Sequence, residues 1–355
     1  MEDLETTVTS VLALLRQFDS SLSSQPPSIQ AIGNHPSPLD VLSDSAKLLK
    51  AQTTKLSLLM LNKPFSPKEI TYILKAVSTS CLPAMMSSVE LYRPEQYSKV
   101  LQKEMISRVR RTFREMSTLL SEIPLNGRAT QKTTGRDTLS STGVVWESCD
   151  ALIELKTGGI AGVVVKKAEQ YRDLVKDAIE ELETWASGEE DNEDDDPIFG
   201  GDSIPKDEVE LKAQLDECLK VLNNVKLLFP ATIKRRLKRY PTSNPPEEST
   251  INVTRLDELV EKLAQIPDLI DEAAGAFYDL RGQEAQDFVD SCRTTAIATI
   301  LLMQPNWEGK DDEYTSWSKQ LHGRLAQLPC RTRNKGDAIE NATKKLGELN
   351  IGTTK

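Results

Sequence analysis

Aromatic residues make up only 5% of this 355-residue chain, and histidine occurs just twice. So few rings disfavour a sheet sandwich and suit helices packed by Leu, Val, Ile and Ala. Runs of alternating apolar and polar residues, the mark of strands, are missing too. The two histidines, His35 in a Pro-rich stretch and His322 near the end, have no cysteine or carboxylate at ligand spacing. That leaves no material for a zinc site, and no metal or cofactor is expected. Five cysteines, an odd number without paired spacing, argue against a disulfide framework and for a reducing compartment. No apolar run approaches the roughly 20 residues of a spanning helix. The acidic opening Met1-Glu2-Asp3-Leu4 predicts neither a signal peptide nor a transit peptide. A formal net charge of -10 excludes general attraction to nucleic acid or to anionic membrane. The expected location is the cytoplasm, the nucleus, or both.

What is present is helical periodicity. From Val164 the apolar positions read Val164, Ala168, Tyr171, Val175, Ala178, Leu182 and Trp185, a four-and-three spacing that lays one stripe along a helix. Leu39, Leu42, Ala46, Leu49, Thr53, Leu56 and Met60 form a second stripe. Ser66-Pro67-Lys68-Glu69 has the pattern of a helix start, with Ser as cap and Pro at the first position. The helix after it contains Pro83, where a kink is predicted. Gly158-Gly159 separates a helix ending near Lys156 from the long one starting near Val163. Leu211, Leu215, Cys218, Leu222, Val225 and Phe229 continue the pattern, as do Phe288, Cys292, Thr295, Thr299 and Leu302. The fold class is all-α, with about ten helices in two antiparallel bundles. Residues 1–187 form the first bundle, 188–205 an acidic loop, 206–330 the second bundle, and 331–355 a marginal tail.

Two charge clusters stand out as candidate sites. Glu189, Glu190, Asp191, Glu193, Asp194, Asp195 and Asp196 follow the long helix almost without interruption. They read as a solvated linker, a docking segment for a basic partner or, lacking ordered ligand spacing, least well as a calcium loop. Ser187, with Glu190 three residues on, is a candidate phosphosite for an acid-directed kinase. Lys234, Arg235, Arg236, Lys238 and Arg239 form a compact basic run. It reads either as a nuclear import signal or as the solvated cationic end of a helix. Gly158-Gly159-Ile160-Ala161-Gly162 is no dinucleotide loop, because a helix precedes it where the fingerprint needs a strand. Cys81, Cys149, Cys218 and Cys292 fall on or beside apolar stripes, where cysteine packs as a small hydrophobe. No group of residues suggests catalysis.

Val145-Trp146-Glu147-Ser148-Cys149, the block Leu174 to Glu183, the acidic run, Arg255 to Val260 and Ile270 to Tyr278 resemble, in that order, the Grap2 and cyclin-D-interacting protein family. The resemblance runs from about Leu39 to Leu328. It implies helical bundles related to the talin and vinculin rods. It also implies a non-enzymatic adaptor whose protein partners are cyclin-like or helix-loop-helix regulators of the cell cycle and transcription. The bundle type implies an alternative, a cytoskeletal rod module for actin or adhesion partners. No basic segment precedes the long helix, so direct nucleic-acid binding is not expected. Leu215 and Leu222 are better used inside the chain than in a dimer zipper, which favours a monomer.

Overall fold

The computed structural model describes residues 1–23, 36–62, 64–93, 98–125, 137–187, 203–205, 207–241 and 246–328, with the backbone alone at 246–250. The described residues fold into helices and connecting turns, as expected for the all-α class. In order they are α1 (Glu2–Ser23), α2 (Pro38–Leu61), α3 (Pro67–Ala76), a π turn (Val77–Cys81), α4 (Leu82–Glu90), α5 (Lys99–Ser121) and α6 (Thr138–Ser187). Then follow α7 (Val209–Lys226), α8 (Leu228–Arg235), a 3-10 turn (Leu237–Arg239), α9 (Pro246–Tyr278), α10 (Gly282–Met303) and α11 (Glu313–Gln327).

Two compact units emerge, one of Met1–Lys166 with Ser243–Asp257, the other of Lys167–Thr242 with Glu258–Lys355. The division therefore falls inside α6 and α9, rather than at an acidic loop between 187 and 206.

In the first unit, α1 packs on α3 and α5, α2 on α3 and α4, and α4 on α5. Leu4, Val8, Val11 and Leu15 of α1, Leu42, Ala46, Leu49 and Leu56 of α2, and Met105, Val109, Phe113 and Met116 of α5 are all buried. Proline opens both α2 and α3, where its missing N–H would have had no partner, although neither Ser37 nor Ser66 closes the cap with its side chain. Pro83 cannot donate to the turn before it, and the helix absorbs the defect in the π turn directly upstream. At Gly159 (φ 54°, ψ -157°) helix α6 bends through a backbone region open essentially to glycine. That is the break the Gly pair predicted. Cys81 and Cys149 are wholly buried, and desolvation pushes their thiols up to about 11 and about 12, as inert packing groups require.

In the second unit α7 packs on α10 and α11, with α8 against α7 and α10. Leu211, Leu215, Cys218, Leu222, Val225 and Phe229 are buried as their spacing predicted. A Cβ on buried Gly282 would meet the side-chain ends of Gln214 and Leu211, which would have to move aside for any larger residue at the start of α10. The stripe of α10 itself differs from expectation by about one residue. Cys292 and Thr299 are buried as expected, together with Ala285, Val289, Ala296, Ile300 and Met303, whereas Phe288, Thr295 and Leu302 are only half-buried. Three neighbouring helices cover α10, which widens its buried arc toward the small residues that permit close approach.

Leu182, fully buried on α6 in this unit, lies at the centre of the stripe first read from sequence. Leu182→Ala should destabilise the protein by about 2–5 kcal/mol through lost burial and a residual cavity. Chemical denaturation would read this as a lower midpoint, and an unchanged midpoint would contradict the assignment.

Candidate protein-interaction site

The basic run divides on folding. Lys234, Lys238 and Arg239 are exposed, Arg235 is half-exposed, and Arg236 is only 1% exposed. Arg236 Nε donates to the Met303 carbonyl at 2.8 Å and Nη2 to the Gln304 carbonyl at 2.9 Å. Its two terminal nitrogens grip the Asp312 carboxylate at 2.7 and 2.8 Å, and the guanidinium lies 4.2 Å from the Tyr314 ring centroid. Asp312 also caps α11, accepting from Thr315 N at 3.1 Å. The Arg236 hydrogen bond, with the cap's backbone amide adding to it, holds the Asp312 carboxyl well below the usual carboxylate range. Trp307 Nε1 donates to the Arg236 carbonyl at 2.8 Å. Arg236 must therefore be struck from the candidate import residues. A signal was present in the sequence: Arg236 lies four residues after buried Thr232 and seven after buried Phe229, on the apolar stripe. Lys238 pairs with Glu169 at 3.2 Å, on the exposed side of the same turn.

A different surface of the second unit gathers acids around aromatic rings. Trp185, 9% exposed, meets Tyr278 edge-on with ring centroids 5.1 Å apart. The Tyr278 hydroxyl donates to Glu181 Oε1 at 2.9 Å, and desolvation together with that carboxylate raises the phenol above its ordinary value. Desolvation also raises Asp271, followed by repulsion from Asp268, Glu181 and Glu272. Four carboxylates thus share one potential beside an exposed phenol ring.

Leu280, two residues past Tyr278, is 46% exposed and held at φ 60°. It sits where α9 ends, with Leu280 N bonded to the Phe277 carbonyl at 2.9 Å and Arg281 N to the Ala276 carbonyl at 2.8 Å. Glycine is the usual residue for this left-handed closing position, and a leucine there carries strain. An apolar side chain kept partly exposed at a conformational cost, lining a depression with Glu208, Glu210 and Glu284, suits a partner surface that is both apolar and cationic. Sequence periodicity singled out Trp185 but missed Glu181, Asp268, Asp271, Glu272, Tyr278 and Leu280. These residues come from two helices more than eighty positions apart, and no local pattern joins them.

Ser187 closes α6 exposed, its hydroxyl donating to the Thr184 carbonyl at 2.9 Å. Glu189, Glu190, Asp191, Glu193, Asp194, Asp195 and Asp196 lie outside the described residues, as does Cys330. Where description resumes, Ile204 is nearly buried and its N–H donates to the Trp185 carbonyl at 3.3 Å.

The N-terminal model of the Grap2 and cyclin-D-interacting family matches residues 41–188. A cyclin-D1-binding protein 1 homologue of Xenopus laevis is 28% identical over 307 residues, covering 83% of this chain and 88% of its own. An uncharacterised protein of Schizosaccharomyces pombe is 29% identical over 298 residues, covering 79% of this chain and 82% of its own.

Two outcomes follow from the buried arginine. Arg236→Ala should cost about 3–5 kcal/mol, because it strands the Asp312 carboxylate and two helix-end carbonyls, whereas Lys234→Ala should change stability by less than about 0.5 kcal/mol. Equal effects in thermal unfolding would contradict the burial. The carboxyl of Asp312 is depressed in the folded state, so its contribution is complete above the unfolded value of about 3.9 and is lost as pH falls below it. Between about pH 4 and pH 2, stability should therefore fall more steeply in the wild type than in Asp312→Asn, and parallel curves would refute the coupling.

Proposed function

We propose that this chain, whose residues 41–188 match the N-terminal model of the Grap2 and cyclin-D-interacting family, is a non-enzymatic adaptor that binds a D-type cyclin and thereby regulates the cell cycle or transcription. The family description and the printed name of the Xenopus laevis relative both speak of cyclin-D binding. Within this chain, the observation that carries a binding role is exposed Leu280 in its left-handed position. Glycine would be the more stable choice there, so the leucine side chain is kept for something outside the folded chain. Asp268, Asp271 and Glu272 supply the electrostatic steering toward a partner face rich in Lys and Arg. No described helix is long and apolar enough to cross a membrane.

Leu280→Gly should raise the stability of the isolated protein by about 1–2 kcal/mol while weakening capture of a purified D-type cyclin. Reversing Asp268, Asp271 and Glu272 to lysine should slow association and flatten its salt dependence. Calorimetric titration with the cyclin reads the first, and stopped-flow association at several salt concentrations reads the second. A Leu280→Gly protein that binds like wild type would sink the assignment of this surface. Co-sedimentation with filamentous actin, absent in this proposal, would instead favour the rod-module alternative.

A further inference from the structure

The connector from α2 to α3 carries a motif that the fold leaves unused. Pro64-Phe65-Ser66-Pro67 reads Pro-x-Ser-Pro, and Ser66-Pro67 is one of two Ser-Pro dipeptides in a chain without Thr-Pro. The wider run Ser66-Pro67-Lys68-Glu69 predicts a serine that caps α3. The structure puts Ser66 at that position, yet its hydroxyl accepts nothing from the first turn. Serine is favoured there for the hydrogen bond that is missing, so capping does not account for this side chain. Ile70 N bonds to the Ser66 carbonyl at 3.2 Å, whereas the amides of Lys68 and Glu69 belong to the first turn, which a helix cannot pair internally.

The surroundings of Ser66 suit an incoming enzyme. Proline disfavours the helical region for the residue before it, and Ser66 sits at φ -115°, ψ 89° in the connector, outside the helix. Pro64 is exposed, Ser66 and Pro67 are half-exposed, and Lys68 follows them exposed. The prolines and the serine of the motif therefore reach the surface, and full burial begins only at Ile70. The other dipeptide, Ser37-Pro38, opens α2 in the same position and is likewise uncapped. Its Pro38 is buried, however, and two residues before Ser37 stands His35 rather than a proline. Position at a helix start is thus common to both serines, while the full motif and its access belong to Ser66 alone.

We propose that Ser66 is a phosphorylation site for a proline-directed protein kinase, and that the phosphate completes the cap which the hydroxyl leaves open. Ser66 Oγ attacks the γ-phosphorus of ATP. The Oγ–P bond forms as the bond to the β-phosphate oxygen breaks, ADP leaves, and the hydroxyl proton passes to the kinase's base. The product brings about -1.5 to -2 charges to the start of α3, where the helix dipole favours them. Its oxygens can accept from the amides of Lys68 and Glu69 in charge-assisted hydrogen bonds. The Lys68 ammonium adds attraction, and the exposed Glu69 carboxylate opposes it. Both α1 and α2 pack on α3, so fixing its first turn stiffens a helix on which two neighbours rest. Ser66 lies in the first unit, and its modification stands or falls independently of the Leu280 surface.

The test incubates the full chain with a recombinant mitogen-activated protein kinase and ATP, and maps phosphate by mass spectrometry. Ser66 should take up phosphate and Ser37 should not. Ser66→Ala removes no cap bond, so it should keep the wild-type circular dichroism while losing the modification. In the phosphorylated protein, amide exchange at Lys68 and Glu69 should slow by about fivefold, the scale of a charge placed at a helix start. No phosphate on Ser66, or as much on Ser37 as on Ser66, overturns the site. Phosphate on Ser66 that leaves exchange at Lys68 and Glu69 unchanged, or speeds it, overturns the cap.

Discussion

Every helix begins and ends with backbone groups it cannot pair, and in a chain made almost wholly of helices this becomes the governing constraint. The fold meets it with side chains brought from distant positions. Arg236 stops the carbonyls at the end of α10, and its partner Asp312 starts α11. Asp257 starts α5 from more than 150 residues away. The Trp185 carbonyl, at the end of α6, accepts from the amide of Ile204. Each contact satisfies a helix terminus and, in the same stroke, fixes which distant segments lie side by side. Charge that looks superficial in the sequence is therefore partly interior in the molecule.

That constraint separates structure from function within similar-looking residues. Arg236 and Lys238 are two positions apart in one basic run, yet one is the buried centre of a polar network and the other pairs with Glu169 on an exposed turn. The end of α9 shows the opposite case. Its termination is satisfied by backbone alone, so Leu280 is not needed to cap anything, and a smaller residue would do so with less strain. Where a terminus is closed by an unfavourable residue whose side chain then points to water, the side chain's use lies outside the fold.

Asp257 and Leu280, on and just past α9, show two different uses of a side chain at a helix terminus. At Asp257 the helix presents its own carboxylate to the first-turn amides of α5. At Leu280 it presents an apolar residue outward. Both depend on backbone in sparsely populated regions, Ser98 in one case and Leu280 in the other. They are the described non-glycine residues with positive φ.

Sequence by itself determined the helical class, the break at Gly159, the accommodation needed at Pro83 and most of the buried stripes, including Leu182 and the run from Leu211 to Phe229. These follow from period and backbone chemistry, which act over a few residues and are written locally. Periodicity placed the stripe of α10 about one residue out of phase, because which arc is buried depends on the three helices that cover it. Only the tertiary structure decided that Arg236 is interior, that Asp257 caps α5, that Glu181 joins Asp268, Asp271 and Glu272, and that the compact units divide inside α6 and α9. Each of these joins groups far apart along the chain. A carboxylate or guanidinium carries no mark of whether its partner is water or a helix end until packing brings that end within hydrogen-bonding distance.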